Sequence, residues 1–347
     1  MRAGHRWEFA RDYGAGWRHA GRERAYWRGW ALGGGRVASA VATAMLFAIH
    51  VPIWVGAIDT KEPARDAAAA AVSATTTTGS RERVEAVVAG YVGAPFYHRS
   101  DVHLKRPDGT DARFRDLGWD GDALHFPIDG GVRLNRWHGA FGWAIDFLHN
   151  KAIARLGKGA HGRRLKHPVI ETVDVEGTIA GRPAAPRIKL TDVYERLEFT
   201  HGHNMLFLTP LARLGEVFPG VRPYVGIGFG AAVPHVEVTF PGRPDGERTY
   251  EYQYVGPAVQ LMAGLEYRRG RGQFFLEYKF SYAWVAANLT GGKSWKNFFM
   301  PGDLWRQLSA WRNGNPAPYG TLSTVLGAHQ PILGGGYQVQ GPLPVGR

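Results

Sequence analysis

Hydrophobic and polar residues alternate along much of the chain with the period of two that marks a β-strand. Phe274, Leu276, Tyr278, Phe280, Tyr282 and Trp284 fall on one side, and Phe275, Glu277, Lys279, Ser281 and Ala283 on the other. Val259, Leu261, Ala263, Leu265 and Tyr267 oppose Gln260, Met262, Gly264 and Glu266. Val225, Ile227 and Phe229 alternate with Gly226, Gly228 and Gly230, and Phe141, Trp143, Ile145 and Phe147 with Gly142, Ala144, Asp146 and Leu148. No helical stripe is sustained anywhere in this region. The runs predict about eight strands, near 84–97, 131–137, 140–150, 192–212, 222–238, 252–268, 273–286 and 319–338.

The connections between these runs alternate in length. Short ones fall at 138–139, 213–221 and 269–272, long ones at 98–130, 151–191, 240–251 and 287–318. Tight turns at one end and long loops at the other, with a ring-rich face and an ionised face, are the signature of an outer-membrane barrel. The expected fold is all-β: an eight-stranded antiparallel, up-and-down transmembrane β-barrel with long extracellular loops, occupying residues 81–338. The competing reading is a soluble calyx of the lipocalin kind, in which the Phe274–Trp284 side points inward and lines a ligand cavity. The chain ends in a short tail, 339–347, rather than on an aromatic residue.

Ahead of the strands, residues 1–36 are rich in arginine, and Val37 to Ile58 contains no Lys, Arg, Asp or Glu. A basic lead, an apolar run and the small residues Val55-Gly56-Ala57 form an export signal over 1–58. Pro52 and His50 argue against a permanent membrane anchor. The Ala- and Thr-rich stretch 59–80 reads as a disordered linker.

Composition narrows the chemistry. Cysteine is absent, which removes disulfides, thiolate metal sites and thiol nucleophiles together. The 47 glycines and 12 tryptophans suit tightly curved sheet. The net charge of +12 favours anionic partners. Nucleic acid is disfavoured, because no sheet face interleaves basic groups with exposed aromatics.

Strand direction sorts the polar residues by depth. Asp146 and His149 on the third strand, Glu198, Thr200, His201 and His203 on the fourth, and His235 and Glu237 on the fifth gather toward the long-loop end. Alternation turns Asp146, Glu198 and Thr200 inward, and places His149 and His201 on the opposite parity unless a bulge at Gly202 redirects them. Asp146, Glu198, His149, His201 and His203 are the candidate catalytic residues. His149, His201 and His203 are the candidate ligands of a divalent metal ion, because imidazoles and carboxylates together suit one. The plain alternative is a set of paired charges filling the lumen. Ser100, between Arg99 and Asp101 and near His98, is a second and weaker catalytic candidate. Lys105, Arg106, Lys151, Arg155, Arg163 and Arg164 in the long loops are candidate contacts to phosphate or acidic sugar.

Six segments carry a resemblance to a known family: SDVHLKRPDGTD from Ser100, GVRLNRW from Gly131, GWAIDFLHNKA from Gly142, EFTHGHN from Glu198, RPYVGIGFG from Arg222 and FFLEYKFSY from Phe274. They resemble the lipid A oxidases of rhizobial outer membranes. The resemblance implies an enzyme in the outer membrane of a Gram-negative bacterium; the sequence leaves the oligomeric state open, with a monomer favoured. It would use molecular oxygen to convert the proximal glucosamine of lipid A, in lipopolysaccharide, to 2-aminogluconate. Oxygen reacts slowly with a closed-shell sugar, so a redox metal or another electron-transfer partner is expected beside it. Two other classes remain open on the residues alone: a lipid A deacylase using Ser and His, and a non-enzymatic small pore.

Overall fold

The computed structural model describes residues 84–243, 247–291 and 300–341. The expected export signal, the linker and most of the tail lie outside the described residues. The chain is all-β, with seventeen strands, mostly antiparallel, and one α-helix among the described residues. The first half holds β1 (Val84–Gly93), β2 (Phe96–Tyr97), β3 (Ser100–Lys105), β4 (Asp111–Leu117), β5 (Trp119–Asp120), β6 (Gly130–His138) and β7 (Phe141–Ala154). Then come β8 (Thr172–Ile179), β9 (Arg182–Pro183), β10 (Arg187–Lys189), β11 (Arg196–Arg213), β12 (Val221–Ala232), β13 (His235–Thr239) and β14 (Thr249–Tyr252). β15 (Gly256–Arg269), β16 (Gly272–Asn288), helix α1 (Met300–Arg312) and β17 (Thr321–Gln340) complete the chain.

Eight long strands correspond to the eight expected from the sequence. β1 pairs with β6, β6 with β7, β7 with β11 and β11 with β12. β12 pairs with β15, β15 with β16, β16 with β17, and β17 returns to β1. The sheet is larger than eight strands because the long connections also fold as strands. β3 pairs with β4, β4 with β8 and β8 with β10. Their alternation is present in the sequence but is diluted by charge: Val102, Leu104, Ala112 and Phe114 are buried between exposed Asp101, Lys105, Asp111 and Arg113. These residues pack around Tyr194, whose ring lies 5.5 Å from Phe114 and 5.8 Å from Phe240. The apolar core therefore continues from the long strands into the loop end, where it supports the site described below.

The faces of the long strands are unambiguous. Phe274, Leu276, Tyr278 and Trp284 are exposed, whereas Glu277 and Lys279 between them are buried. Val132, Leu208, Phe229 and Leu261 continue the exposed apolar face on neighbouring strands. This is the reverse of the calyx reading. The enclosed side holds a polar network. Lys279 Nζ reaches Asp146 Oδ2 at 2.6 Å, Arg133 reaches Glu277 at 2.8 Å, and the Tyr224 hydroxyl donates to the same Glu277 oxygen at 2.6 Å. Tyr91 donates to Asp146 Oδ1 at 2.5 Å and Gln260 to Asp146 Oδ2 at 3.1 Å. Buried charges persist only when matched in this way. Among the described residues no helix is long and apolar enough to cross a membrane.

Candidate metal centre

The site grows from an irregularity in β11. Opposite β7, Phe199 pairs with Ala152 but His203 pairs with Asn150, so four steps along β11 match two along β7. Gly202, at a φ of 124°, supplies the backbone conformation that lets the strand bulge. A regular strand would point Thr200 and His201 to opposite faces. Here both reach Oε1 of Glu237, at 3.2 Å and 2.5 Å.

Glu237 lies on β13, which begins after β12 stops ahead of Pro234, a residue without an amide hydrogen for the ladder. His235 and Glu237 share one face of that short strand, and His235 Nδ1 lies 3.2 Å from Glu237 Oε1. Arg196 Nη1 contacts both Glu237 Oε2 and Glu198 Oε1 at 2.9 Å. A carboxylate only accepts, so the His201 and His235 contacts fix the hydrogen of each ring on Nδ1.

The third member comes from the loop after β7. His161 sits in the 3-10 turn Ala160–Gly162 at the tip of a narrow hairpin, with a φ of 56°. This left-handed conformation is uncommon away from glycine and concentrates at functional sites. Its ring centroid lies 4.2 Å from that of His201. His161, His201 and Glu237 each bring a ligating atom within 4.8 Å of the other two.

The electrostatics suit a ligand cluster. Burial drives His161 down to about 3, and the neighbouring His201 pushes the same way, so its imidazole is neutral. Burial also lowers His235. Burial, reinforced by the Glu237 carboxylate opposite, pushes Glu198 up to about 8 against the pull of Arg196. Burial acts to raise Glu237 as well, but its hydrogen bonds from His201 and His235 prevail and hold it well below the usual range. The pair thus divides its roles: Glu237 carries the negative charge and Glu198 the proton. Two imidazoles and one ionised carboxylate are a donor set for a divalent transition-metal ion. Arg196, Thr200 and His235 orient the carboxylate, as outer partners of metal ligands do. The residues fit such an ion.

His201 is the one expected ligand in this cluster. His149 instead bonds Asn204 at 2.8 Å, and His203 contacts the Tyr97 hydroxyl at 3.2 Å, so His149, His201 and His203 do not converge. Glu198 stands directly across the ladder from Glu237, and Asp146 lies in the enclosed network with Lys279. His161, unremarkable within a basic loop, is the member that the sequence pattern does not single out. Its flanking glycines, in Gly159-Ala160-His161-Gly162, are the one local signal of a tight turn.

The basic candidates separate in the same way. Lys151 is fully buried against Asp129, and Arg106 is half-buried, paired with Glu247 and stacked 4.1 Å above Phe240. Arg155 is paired with Asp120 and Glu171, Arg163 with Asp122 and Lys105 with Asp111. Arg164 is exposed. Ser100, His98 and Asp101 also diverge. Ser100 bonds Thr324 and Trp119, Asp101 pairs with Arg115, and His98 meets His329.

No family model matches the chain, and no curated relative matches it. Among solved structures, the crystal structure of Neisserial surface protein A is similar at a TM-score of 0.31, with 9% identity, covering 73% of this chain and 96% of that one. A likeness at that level carries no weight for fold or function.

Proposed function

We propose that the chain is an outer-membrane β-barrel enzyme of a Gram-negative bacterium that oxidises lipid A with molecular oxygen at a metal centre held by His161, His201 and Glu237. The observation that carries this reading is the convergence of those three side chains at the long-loop end of the sheet. Support for the barrel comes from the pairing circuit of the eight long strands, which has no free edge, and from its apolar, aromatic outward face. The matched charges within the circuit fill its interior, which favours a plugged scaffold over a pore. The separate partners of Ser100, His98 and Asp101 disfavour a serine deacylase.

Converting the proximal glucosamine to 2-aminogluconate removes two electrons and two protons from the anomeric C–H and O–H. Oxygen accepts all four as hydrogen peroxide, and water opens the resulting lactone to the acid. A redox metal, when bound, supplies the electron-transfer route that triplet oxygen lacks with a closed-shell sugar. The protein's own residues then have defined tasks. Glu198 holds a proton beside the centre near neutral pH, available to reduced oxygen. Arg196 fixes Glu237 and Glu198 relative to each other, and Thr200 and His235 hold the Glu237 oxygen. Tyr250, with its hydroxyl 3.3 Å from both His201 nitrogens, and Tyr252, which donates to the His201 carbonyl at 3.2 Å, brace the ring from the other side.

The test is incubation of purified protein with lipid A that has a free anomeric hydroxyl, with and without oxygen, followed by mass spectrometry. A gain of one oxygen atom per lipid, only in oxygen and lost in His201→Ala, is expected. Release of fatty acid, or no change, contradicts the reading.

A further inference from the structure

The hairpin that carries His161 has a second feature on its arms. Lys158 and Arg164 face each other across an antiparallel bridge, one residue pair below the turn that presents His161. Like charges placed directly opposite repel. Both are exposed, as is Lys166 two residues on, and none of the three forms an ion pair with a carboxylate among the described residues. Arg163, between them, is already held by Asp122 at 2.7 Å. The arrangement is that of an anion site built from side chains that have no other counter-charge.

A cleft of about 310 Å³ opens beside Lys158, lined also by Gly159, Arg163, Phe96 and Leu165 and by two carboxylates, Asp120 and Asp122, which are already neutralised by Arg155 and Arg163. Arg164 and Lys166 stand outside it on the same hairpin. Phe96 is exposed. The neighbouring loop, 121–129, is bound to the same hairpin, because Asp122 accepts from the Ala160 amide at 3.2 Å. In that loop His125 approaches His161, with ring centroids 5.6 Å apart, while Leu124 and Phe126 on either side of it are 71% and 57% exposed. Lys158 also lines the small pocket that leads to Glu198. Cations, an apolar wall and the candidate metal centre are therefore contiguous.

We propose that this cleft seats an anionic glycolipid of the surrounding leaflet, with a phosphate on Lys158, Arg164 and Lys166 and acyl chain along Phe96, Leu124 and Phe126. With Asp120 and Asp122 paired to Arg155 and Arg163, the three hairpin cations leave a net positive charge that favours an anion, and the apolar wall favours a ligand that carries hydrocarbon beside it. The inference rests on the lipid A reading above and refines it. Oxidation at the anomeric carbon needs a free hydroxyl there, so the phosphate that is gripped belongs to the distal sugar. The seat is thus a specificity device for distally phosphorylated substrate.

The experiment uses the full chain in nanodiscs and measures binding of lipid A monophosphorylated on the distal sugar, and of its fully dephosphorylated counterpart. The monophosphorylated lipid is expected to bind at least tenfold more tightly. Lys158→Ala/Arg164→Ala/Lys166→Ala should erase that preference, and Lys158→Arg/Arg164→Lys/Lys166→Arg should keep most of it. Leu124→Ser/Phe126→Ser should weaken both lipids together. Equal affinity for the two lipids, or an undiminished preference in the triple alanine variant, overturns the seat. Predicted binding without oxidation in the parent protein would leave the seat standing and sink the oxidase reading. Oxidation with an unaltered preference in the triple variant would do the reverse.

Discussion

His201 Nδ1 lies 2.5 Å from Glu237 Oε1, and the residue before it, Thr200, reaches the same oxygen. Two consecutive strand residues can share a target only because the backbone bulges at Gly202. A side chain at Gly202 would meet the Asn204 amide and force an L-residue into a φ of 124°. Gly202→Ala is expected to lower metal occupancy and lipid A oxidation at least tenfold while the circular-dichroism signature of the sheet persists. Unchanged occupancy would show that the bulge does not position His201.

The enclosed network predicts a non-additive pair. Lys279→Met leaves Asp146 buried without its cation, which costs about 3–5 kcal/mol. Lys279→Met/Asp146→Leu removes both charges and should recover most of that loss. Denaturant unfolding of the parent, Lys279→Met, Asp146→Leu and the double variant in one detergent measures both effects. Additive destabilisation in the double variant would contradict a coupled buried pair.

Helix α1 presents Trp305, Leu308 and Trp311 outward while its opposite side is fastened to the sheet. Asp303 accepts from the Tyr252 amide at 3.0 Å, and Gln307 bonds both the amide and the carbonyl of Tyr254 at 2.8 Å. An apolar face with two indoles, held by polar anchors, is suited to the headgroup boundary. The chain has no cysteine, so Trp305→Cys gives a single labelling site. An environment-sensitive probe there should shift to an apolar signal in nanodiscs, whereas one at exposed Arg243 should report water. A water-like signal at 305 would contradict membrane contact by this helix.

Glu198 gives the pH prediction. Its folded value, about 8, lies above the ordinary 4.5 of an unfolded glutamate, so folding takes up a proton between them. The stabilisation from this group is whole below about pH 4.5 and is lost as the pH climbs through about 8. In chelated, metal-free protein, Glu198→Gln should flatten that decline between pH 6 and 9. An identical slope in parent and variant would remove Glu198 as the proton holder.

The sequence was most legible where one physical rule acted alone. Along β16 the alternation of Phe274, Leu276 and Tyr278 with Phe275, Glu277 and Lys279 marked the two faces, and the burial of Glu277 and Lys279 follows it. The possible bulge at Gly202 was also legible, since a glycine between two histidines in a strand has few other uses. The long connections were not. β3 and β4 bury Val102, Leu104 and Phe114, but their alternate positions are charged and their partners lie far along the chain on β8 and β17. The ligand set was legible only in His201 and in the outer position of Glu237. His161 reaches the cluster through the tertiary fold of its hairpin, a relation that spacing in sequence does not encode. His149 and His203, near neighbours of His201 along or across the ladder, are drawn instead to Asn204 and Tyr97.

The central claim is that His161, His201 and Glu237 hold one redox-active metal ion. Elemental analysis of purified full-length protein, after equilibration with a transition-metal mixture and removal of loosely bound ions, measures it directly. About one metal per chain is expected in the parent, with loss in His161→Ala and in His201→Ala and retention in His149→Ala. Parent protein that binds no metal, or that oxidises lipid A at full rate when metal-free, would contradict it.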